Sequence, residues 1–283
     1  MSTIDGKKIA KRILREVTER VAKLSRPLKM AAILIGDDSK SKKFLGLKKK
    51  AAKSVGIGFD IYEFSADMKT RDLVLEVEKI AQDTNYGGIL IELPIPEGID
   101  TVAVLNAVLL EKDVDMLSFE SQEKFYSGDF SILPPAVEAV KAIFEEYIIE
   151  PKDKKAAVFG QGILVGKPVS FWLEKQGSEV AVVDEFTKNP ETYSREADIL
   201  IAGVGKTNLI KEGMVKEGAV VIDFGQDVDF ESVNKKASLI TPPAGGVGPI
   251  VIAAVLKNLV DLSENQLTGG QSSGTTYTRV ALG

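Results

Sequence analysis

Apolar positions along this chain alternate between two periods. Asp5–Leu24 places Ile9, Ile13, Val17 and Val21 on one stripe, the spacing of an amphipathic helix. Met30–Ile35 is a short apolar run and predicts a buried strand, followed by a basic helix over Ser41–Val55. Phe59–Phe64 predicts a second strand and Thr70–Gln82 a helix. Gly88–Leu93 predicts a third buried strand, stopped by Pro94 and Pro96. A short helix over Thr101–Leu110, a loop through Lys112–Ser131 and a helix over Ala136–Tyr147 lead to Pro151. Strands are then expected at Ala156–Phe159, Val180–Val183, Ile199–Ala202, Ala219–Phe224 and Ser238–Thr241, with Ile250–Val260 as the last helix. Parallel strands need helical crossovers, so this alternation predicts an α/β fold with a mainly parallel sheet in each half. The boundary is expected within residues 118–150, and the polar Gly/Ser/Thr-rich tail from Asn265 is expected to be loosely attached.

The most informative segment is Ala156–Trp172, AAVFGQGILVGKPVSFW. An apolar strand ends at Gly160 and Gly162, and Gly166-Lys167-Pro168 opens a helix with Pro168 expected at its first position. Glycines let backbone come close to a ligand, and a helix N-terminus favours negative charge, so the segment reads as a phosphate seat. It is not a P-loop. Only three residues separate Gly162 from Gly166, and Pro168 stands where Ser or Thr must hold magnesium. The next strand ends at Asp184, 24 residues after Gly160, near the ~20 expected of the acid that binds a ribose in dinucleotide folds. Asp184-Glu185 puts two carboxylates where a ribose 2′-phosphate lies, and Gln161 rather than a basic residue stands in the turn. Like-charge repulsion then favours NAD over NADP. Val204 and Gly205, with Gly225, are placed to approach the other side of such a cofactor.

Composition narrows the chemistry. The 283 residues contain no Cys and no His, which removes disulfides, thiolate nucleophiles and the commonest general base and metal ligands. Catalysis must rest on Lys, Asp, Glu, Tyr, Ser, backbone amides or a cofactor, and no metal is expected. A net charge of −5 argues against a nucleic-acid binder, and no apolar run is long enough to span a membrane. The opening MSTIDGKKIAKRI lacks a signal peptide's apolar core, so a cytoplasmic location is expected.

Several phrases together resemble one family. Asp5-Gly6, Gly88-Ile-Leu-Ile-Glu-Leu-Pro-Ile-Pro96, Lys112-Asp-Val-Asp115, Val165-Gly-Lys-Pro168, Ala197-Asp-Ile-Leu200, Val221-Ile-Asp223 and Ile240-Thr-Pro-Pro-Ala-Gly-Gly-Val-Gly-Pro249 occur in order. The chain resembles the bifunctional methylenetetrahydrofolate dehydrogenase/cyclohydrolase (FolD) family over residues 4–262, as a divergent member. The resemblance implies an N-terminal α/β substrate domain over 1–118, completed by a C-terminal helix at 249–264. It implies a Rossmann-type NAD(P)-binding domain over 136–248, a cleft between the two, a polar tail at 265–283 and a homodimer. The implied reaction oxidises 5,10-methylenetetrahydrofolate with NAD or NADP and hydrolyses the methenyl product to 10-formyltetrahydrofolate.

The family's catalytic lysine matches Lys48, and its pterin-holding aspartate matches Asp115. Gly245, Gly246 and Pro249 match its substrate-binding block, and the cofactor residues fall on Gly160, Gln161, Gly162, Gly166, Asp184, Glu185, Val204 and Gly205. Two departures touch the chemistry. The usual tyrosine four residues before the lysine is Phe44, which can wall the pterin but donates no hydrogen bond, and the usual glutamine is Glu92. By residues alone, Lys42–Lys50 is a solvated basic face and Glu92 a strand-end surface acid. If Glu92 faces Lys48, the pair favours the ammonium and weakens it as a base, so the dehydrogenase step is expected to be the more secure one. A non-catalytic folate- or nucleotide-binding relative, and a NAD-dependent dehydrogenase of another small substrate, stay open as alternatives.

Overall fold

The computed structural model describes residues 2–267. In chain order these form β1 (Ser2–Thr3), α1 (Gly6–Val21), β2 (Lys29–Ile35), α2 (Ser39–Ser54), β3 (Gly58–Phe64), α3 (Thr70–Gln82), β4 (Gly88–Ile91), α4 (Thr101–Leu105) and α5 (Phe119–Ser127). There follow α6 (Pro135–Tyr147), β5 (Lys155–Phe159), α7 (Gly166–Lys175), β6 (Glu179–Val183), α8 (Pro190–Ser194), β7 (Ile199–Ala202), β8 (Val220–Asp223), α9 (Phe230–Val233), β9 (Leu239–Ile240) and α10 (Val247–Leu267). The described residues divide into two compact units, one of residues 2–16 and 134–255, the other of 17–133 and 256–267. The start of α1 therefore groups with the later strands. The tail expectation began at Asn265, but Asn265–Leu267 finish α10, and 268–283 lie outside the described residues.

The unit of 17–133 holds a three-stranded parallel sheet in the order β3-β2-β4. Apart from the half-buried Lys29, β2 is buried throughout, and all four residues of β4 are buried, which is why both read as continuous apolar runs. Helix α2 packs on β2 and β3, and its N-cap Asp38 accepts the Ser41 amide at 2.7 Å. The later half of α10 is fastened to the same unit by buried Asn258, whose Nδ2 donates to the Val114 and Leu133 carbonyls at 3.0 and 2.8 Å. A Cβ at Gly88 would lie 2.5 Å from Leu259 Cδ1, so only glycine lets the helix lie this close to β4. The expected loop over Lys112–Ser131 is corrected by α5. Ser118 caps it by accepting the Ser121 amide and Gly128 ends it in the left-handed region at φ 84°. With only Ser121 and Phe125 buried, α5 carries too weak an apolar stripe to be read from the pattern.

The other unit holds a six-stranded parallel sheet, β1-β9-β8-β7-β5-β6. Its core is Ala157, Phe159, Leu200, Ala202, Val221 and Ile240 with their neighbours. Strand order reverses at β5: β6 pairs on one side and β7 on the other. Open parallel sheets bind ligands beyond the strand C-termini at such a reversal, here at the turns after β5 and β7.

Gly6 makes a further close approach within this unit, since a Cβ there would lie 1.7 Å from the Gly246 carbonyl oxygen. Gly6→Ala is expected to destabilise by about 1–3 kcal/mol through forced backbone movement. Gly46→Ala is the control, because nothing lies within 4 Å of its Cβ position and it sits inside α2. It should be neutral or stabilising by up to ~1 kcal/mol. Denaturant unfolding of the two variants beside the parent chain checks both signs.

Candidate functional site

Two groups of residues gather, one in each unit. In the unit of β2–β4, Lys48 lies on the buried face of α2 and Glu92 directly follows β4, where its amide donates to the Ile33 carbonyl at 2.9 Å. Lys48 Nζ donates to Glu92 Oε2 at 2.7 Å, with the two side chains only 8% and 7% exposed. The surface readings of both residues are thereby corrected. Phe44, one helical turn before Lys48, places its ring centroid 5.0 Å from the ammonium, a cation–π distance. Carboxylate and ring thus both hold the lysine's nitrogen.

Asp115 completes this group. Burial pushes its carboxyl up to about 7; the Lys48 ammonium opposes that shift, while the Asp113 and Glu92 charges reinforce it. Its carboxylate has no hydrogen-bond partner among the described residues. Buried Asp113 sets the backbone here, since its two oxygens accept the Leu117 and Ser118 amides at 3.2 and 2.8 Å. The turn so formed carries Met116 at a positive φ of 56° and presents Asp115. Lys112 next to it caps α3, donating to the Ala81 and Asp83 carbonyls at 2.6 and 2.8 Å. Sequence reasoning quoted Asp113 and Lys112 only as part of a phrase and missed these fastening roles. A run of mostly charged residues, Glu111–Asp115, between two apolar stretches was the available signal.

In the unit of the six-stranded sheet, β5 ends at Gly160, whose φ is +95° and whose amide donates to the Val183 carbonyl at 2.8 Å. A Cβ at Gly160 would lie 2.8 Å from the Gly203 carbonyl oxygen, and one at Gly166 would lie 2.0 Å from the Gly160 carbonyl oxygen. Strand, turn and helix therefore meet at backbone distance. Gly162 has nothing within 4 Å of its Cβ position, so the turn opens on that side. Pro168 is the third residue of α7, not the first as expected, because the helix begins at Gly166. It still falls in the first turn, where a missing N–H costs no intrahelical bond. Gln161 folds back, its Nε2 donating to the Gly160 carbonyl at 2.7 Å.

At the end of β6, Asp184 Oδ1 accepts the Thr187 hydroxyl at 2.7 Å and the Phe186 amide at 3.0 Å. The Thr187 bond leads in holding this carboxyl below the usual range. Glu185 beside it is exposed. Val204 and Gly205, at a φ of +79°, form the turn after β7. Gly245 and Gly246 precede α10, and Pro249 lies in its first turn; these three belong to this unit and not to that of Lys48. Sequence reasoning also missed Asp227, a fully buried carboxylate that accepts the Val204 and Lys206 amides. Those contacts are nonlocal, and no pattern in the sequence marks them.

Comparison with known proteins matches both units. Residues 4–115 match the model of the tetrahydrofolate dehydrogenase/cyclohydrolase catalytic domain, and residues 134–267 that of its NAD(P)-binding domain. The bifunctional protein FolD of Nautilia profundicola is 39% identical, over 94% of this chain and 98% of its own. The crystal structure of the bifunctional FolD from Campylobacter jejuni superposes with a TM-score of 0.89 at 33% identity, covering 94% of this chain and 99% of that one. The Trypanosoma brucei FolD complexed with NADP and an inhibitor gives 0.88 at 29% identity, covering 94% and 98%.

Two expectations follow from the buried charges. Lys48→Met leaves Glu92 buried without its partner and should cost about 3–5 kcal/mol, most of it recovered in Lys48→Met/Glu92→Leu. Equilibrium denaturation of the single and double variants tests this. Asp115 binds its proton more tightly in the folded chain than in the unfolded one, so its contribution lowers stability as pH rises from about 4 to about 7. The slope from this one group reaches at most ~1.4 kcal/mol per pH unit. Asp115→Asn should flatten that part of the stability profile relative to the parent chain.

Proposed function

This chain belongs to the tetrahydrofolate dehydrogenase/cyclohydrolase family, and from that premise we propose what its own residues do. The reaction is oxidation of 5,10-methylenetetrahydrofolate to the methenyl form, followed by addition of water to give 10-formyltetrahydrofolate. The observation that carries the reading is a buried ammonium, Lys48, bonded to Glu92 and within electrostatic reach of the unpaired carboxyl of Asp115. Residues 1–118 with 249–264 serve the folate, and 136–248 serve the nucleotide. The working assembly is the homodimer that the resemblance implies, in the cytoplasm.

A histidine-free chain suits this chemistry. The reacting carbon is flanked by two nitrogens whose lone pairs stabilise the cation left when hydride departs. Orientation and electrostatics then dominate over proton transfer. Lys48 is the group that orients water for the hydrolytic step. Asp115, with its carboxyl near 7, serves the pterin ring as hydrogen-bond partner in either protonation state around neutral pH. Phe44 walls the ring without donating to it. Glu92 keeps Lys48 engaged, which makes hydrolysis the slower of the two steps.

The glycine cradle fits a pyridine dinucleotide. Backbone meets backbone at Gly160, Gly166 and Gly203 where any side chain would collide, while Gly162 is open. When bound, the nucleotide accepts the hydride. The ribose end is assigned to Asp184, held ionised by Thr187, and to Glu185, and the turn carries Gln161, tied to the Gly160 carbonyl, in place of a basic side chain. A 2′-phosphate meets two carboxylates there, so NAD is the cofactor this reading assigns.

The test is reduction of NAD and NADP measured separately with methylenetetrahydrofolate. NAD is expected to be favoured by at least about tenfold in kcat/KM. Asp184→Ser/Glu185→Ser/Gln161→Arg should move the ratio towards NADP. Glu92→Gln should raise hydrolysis of methenyltetrahydrofolate relative to dehydrogenation. A chain that turns over neither nucleotide with this folate would falsify the reading.

A further inference from the structure

Asp227 plays no part in the roles assigned above, yet it is 0% exposed. A carboxylate so buried needs donors. It has two, the Val204 amide on Oδ2 at 2.6 Å and the Lys206 amide on Oδ1 at 2.5 Å. These donors flank Gly205, so one carboxylate spans the whole turn after β7. The other side of that turn abuts the glycine cradle. Gly203 offers its carbonyl oxygen 2.8 Å from the Cβ position of Gly160, and its own Cβ position lies 2.7 Å from Val165 Cγ1. Asp223 holds Asp227 in turn, accepting the Gly225 and Asp227 amides on Oδ1 at 2.9 and 3.1 Å and the Val228 amide on Oδ2 at 3.0 Å. Gly225 leaves room for this arrangement, since a Cβ there would lie 3.0 Å from each Asp227 oxygen and 3.1 Å from the Gly205 nitrogen.

We propose that Asp227 is a positioning residue for the dinucleotide, fixing the Gly203–Lys206 turn against Gly160 and so setting the second wall of the seat. The proposal rests on the reading that this unit binds a pyridine dinucleotide. Its chemistry is specific to a carboxylate. Two amides aim at two oxygens, and an asparagine would turn an NH₂ against one of those N–H groups.

The test uses the full-length chain, with NAD as the probe. Dissociation constants come from calorimetric titration, and KM and kcat from NAD reduction with methylenetetrahydrofolate. Asp227→Asn is expected to raise the NAD dissociation constant and KM by about tenfold, as one buried donor left unsatisfied implies, and Gly225→Ala to raise both by displacing the carboxylate its Cβ would crowd. KM for methylenetetrahydrofolate should stay within about twofold, because Lys48, Glu92 and Asp115 belong to the other unit. A lowered melting temperature with unchanged NAD affinity in both variants overturns the proposal and leaves Asp227 a structural residue. Should Asp227→Asn not fold, Gly225→Ala decides alone, since it crowds the carboxylate without removing it. Wild-type chain that binds no dinucleotide overturns the underlying reading and this proposal together, and the wild-type titration reports that case separately.

Discussion

A carboxylate taken out of water must find donors or keep its proton, and the chemistry of this chain is organised by that constraint. Five of the acids in and around its two groups of residues show it. Glu92 is matched by an ammonium, Asp113 by two amides, Asp223 by three and Asp227 by two. Asp115 is the exception in having no hydrogen-bond donor among the described residues, and its carboxyl is raised to about 7; burial raises Asp223 as well, against its three amides. The satisfied acids shape turns: Asp113 bends the chain that presents Asp115, and Asp223 with Asp227 braces the turn beside the glycine cradle. The unsatisfied one remains available for a ligand. Structure and reactivity thus draw on the same residue type, separated by whether amides reach it.

Without histidine or cysteine, the titratable groups left for a site are chiefly lysines and carboxylates. Lysine and carboxylates exchange protons poorly at neutral pH unless burial or a partner changes their balance. Burial does this for Asp115. Lys48 and Glu92 instead face each other as an ion pair at 2.7 Å. Phe44 adds to that hold on one face of α2. An ammonium fixed in this way orients neighbours better than it shuttles protons, which suits a reaction whose cation is stabilised by the substrate's own nitrogens.

How much was legible in the sequence follows from the range of each interaction. Buried parallel strands are apolar throughout, so Ile199–Ala202 stood out, as did Gly88–Leu93, whose first four residues form the strand, and the β/α alternation with them. Thr70–Gln82 was read to the residue because its apolar stripe is strong. β1 left no trace, being two exposed residues that become a strand only by pairing with β9. The glycine turn was visible because a phosphate seat is local: strand, glycines and helix follow one another within a dozen residues. Lys48 and Glu92 stand 44 residues apart, and residue types alone read both as solvent-facing; the family resemblance singled out the two positions, and the fold pairs them.

Asp227 marks the limit of such reading and gives its reason. Its donors lie 23 and 21 residues away, across a strand, in a turn whose own sequence is only glycine, valine and lysine. No period, cap or motif couples an acid to backbone amides at that distance; only the register of β7 and β8 brings them together. That register is itself fixed by the apolar runs, which were legible. The local pattern therefore determines a topology, the topology brings a carboxylate beneath a turn, and desolvation requires the turn's amides to meet it. Each step is physical necessity, but the last cannot be taken before the sheet is assembled.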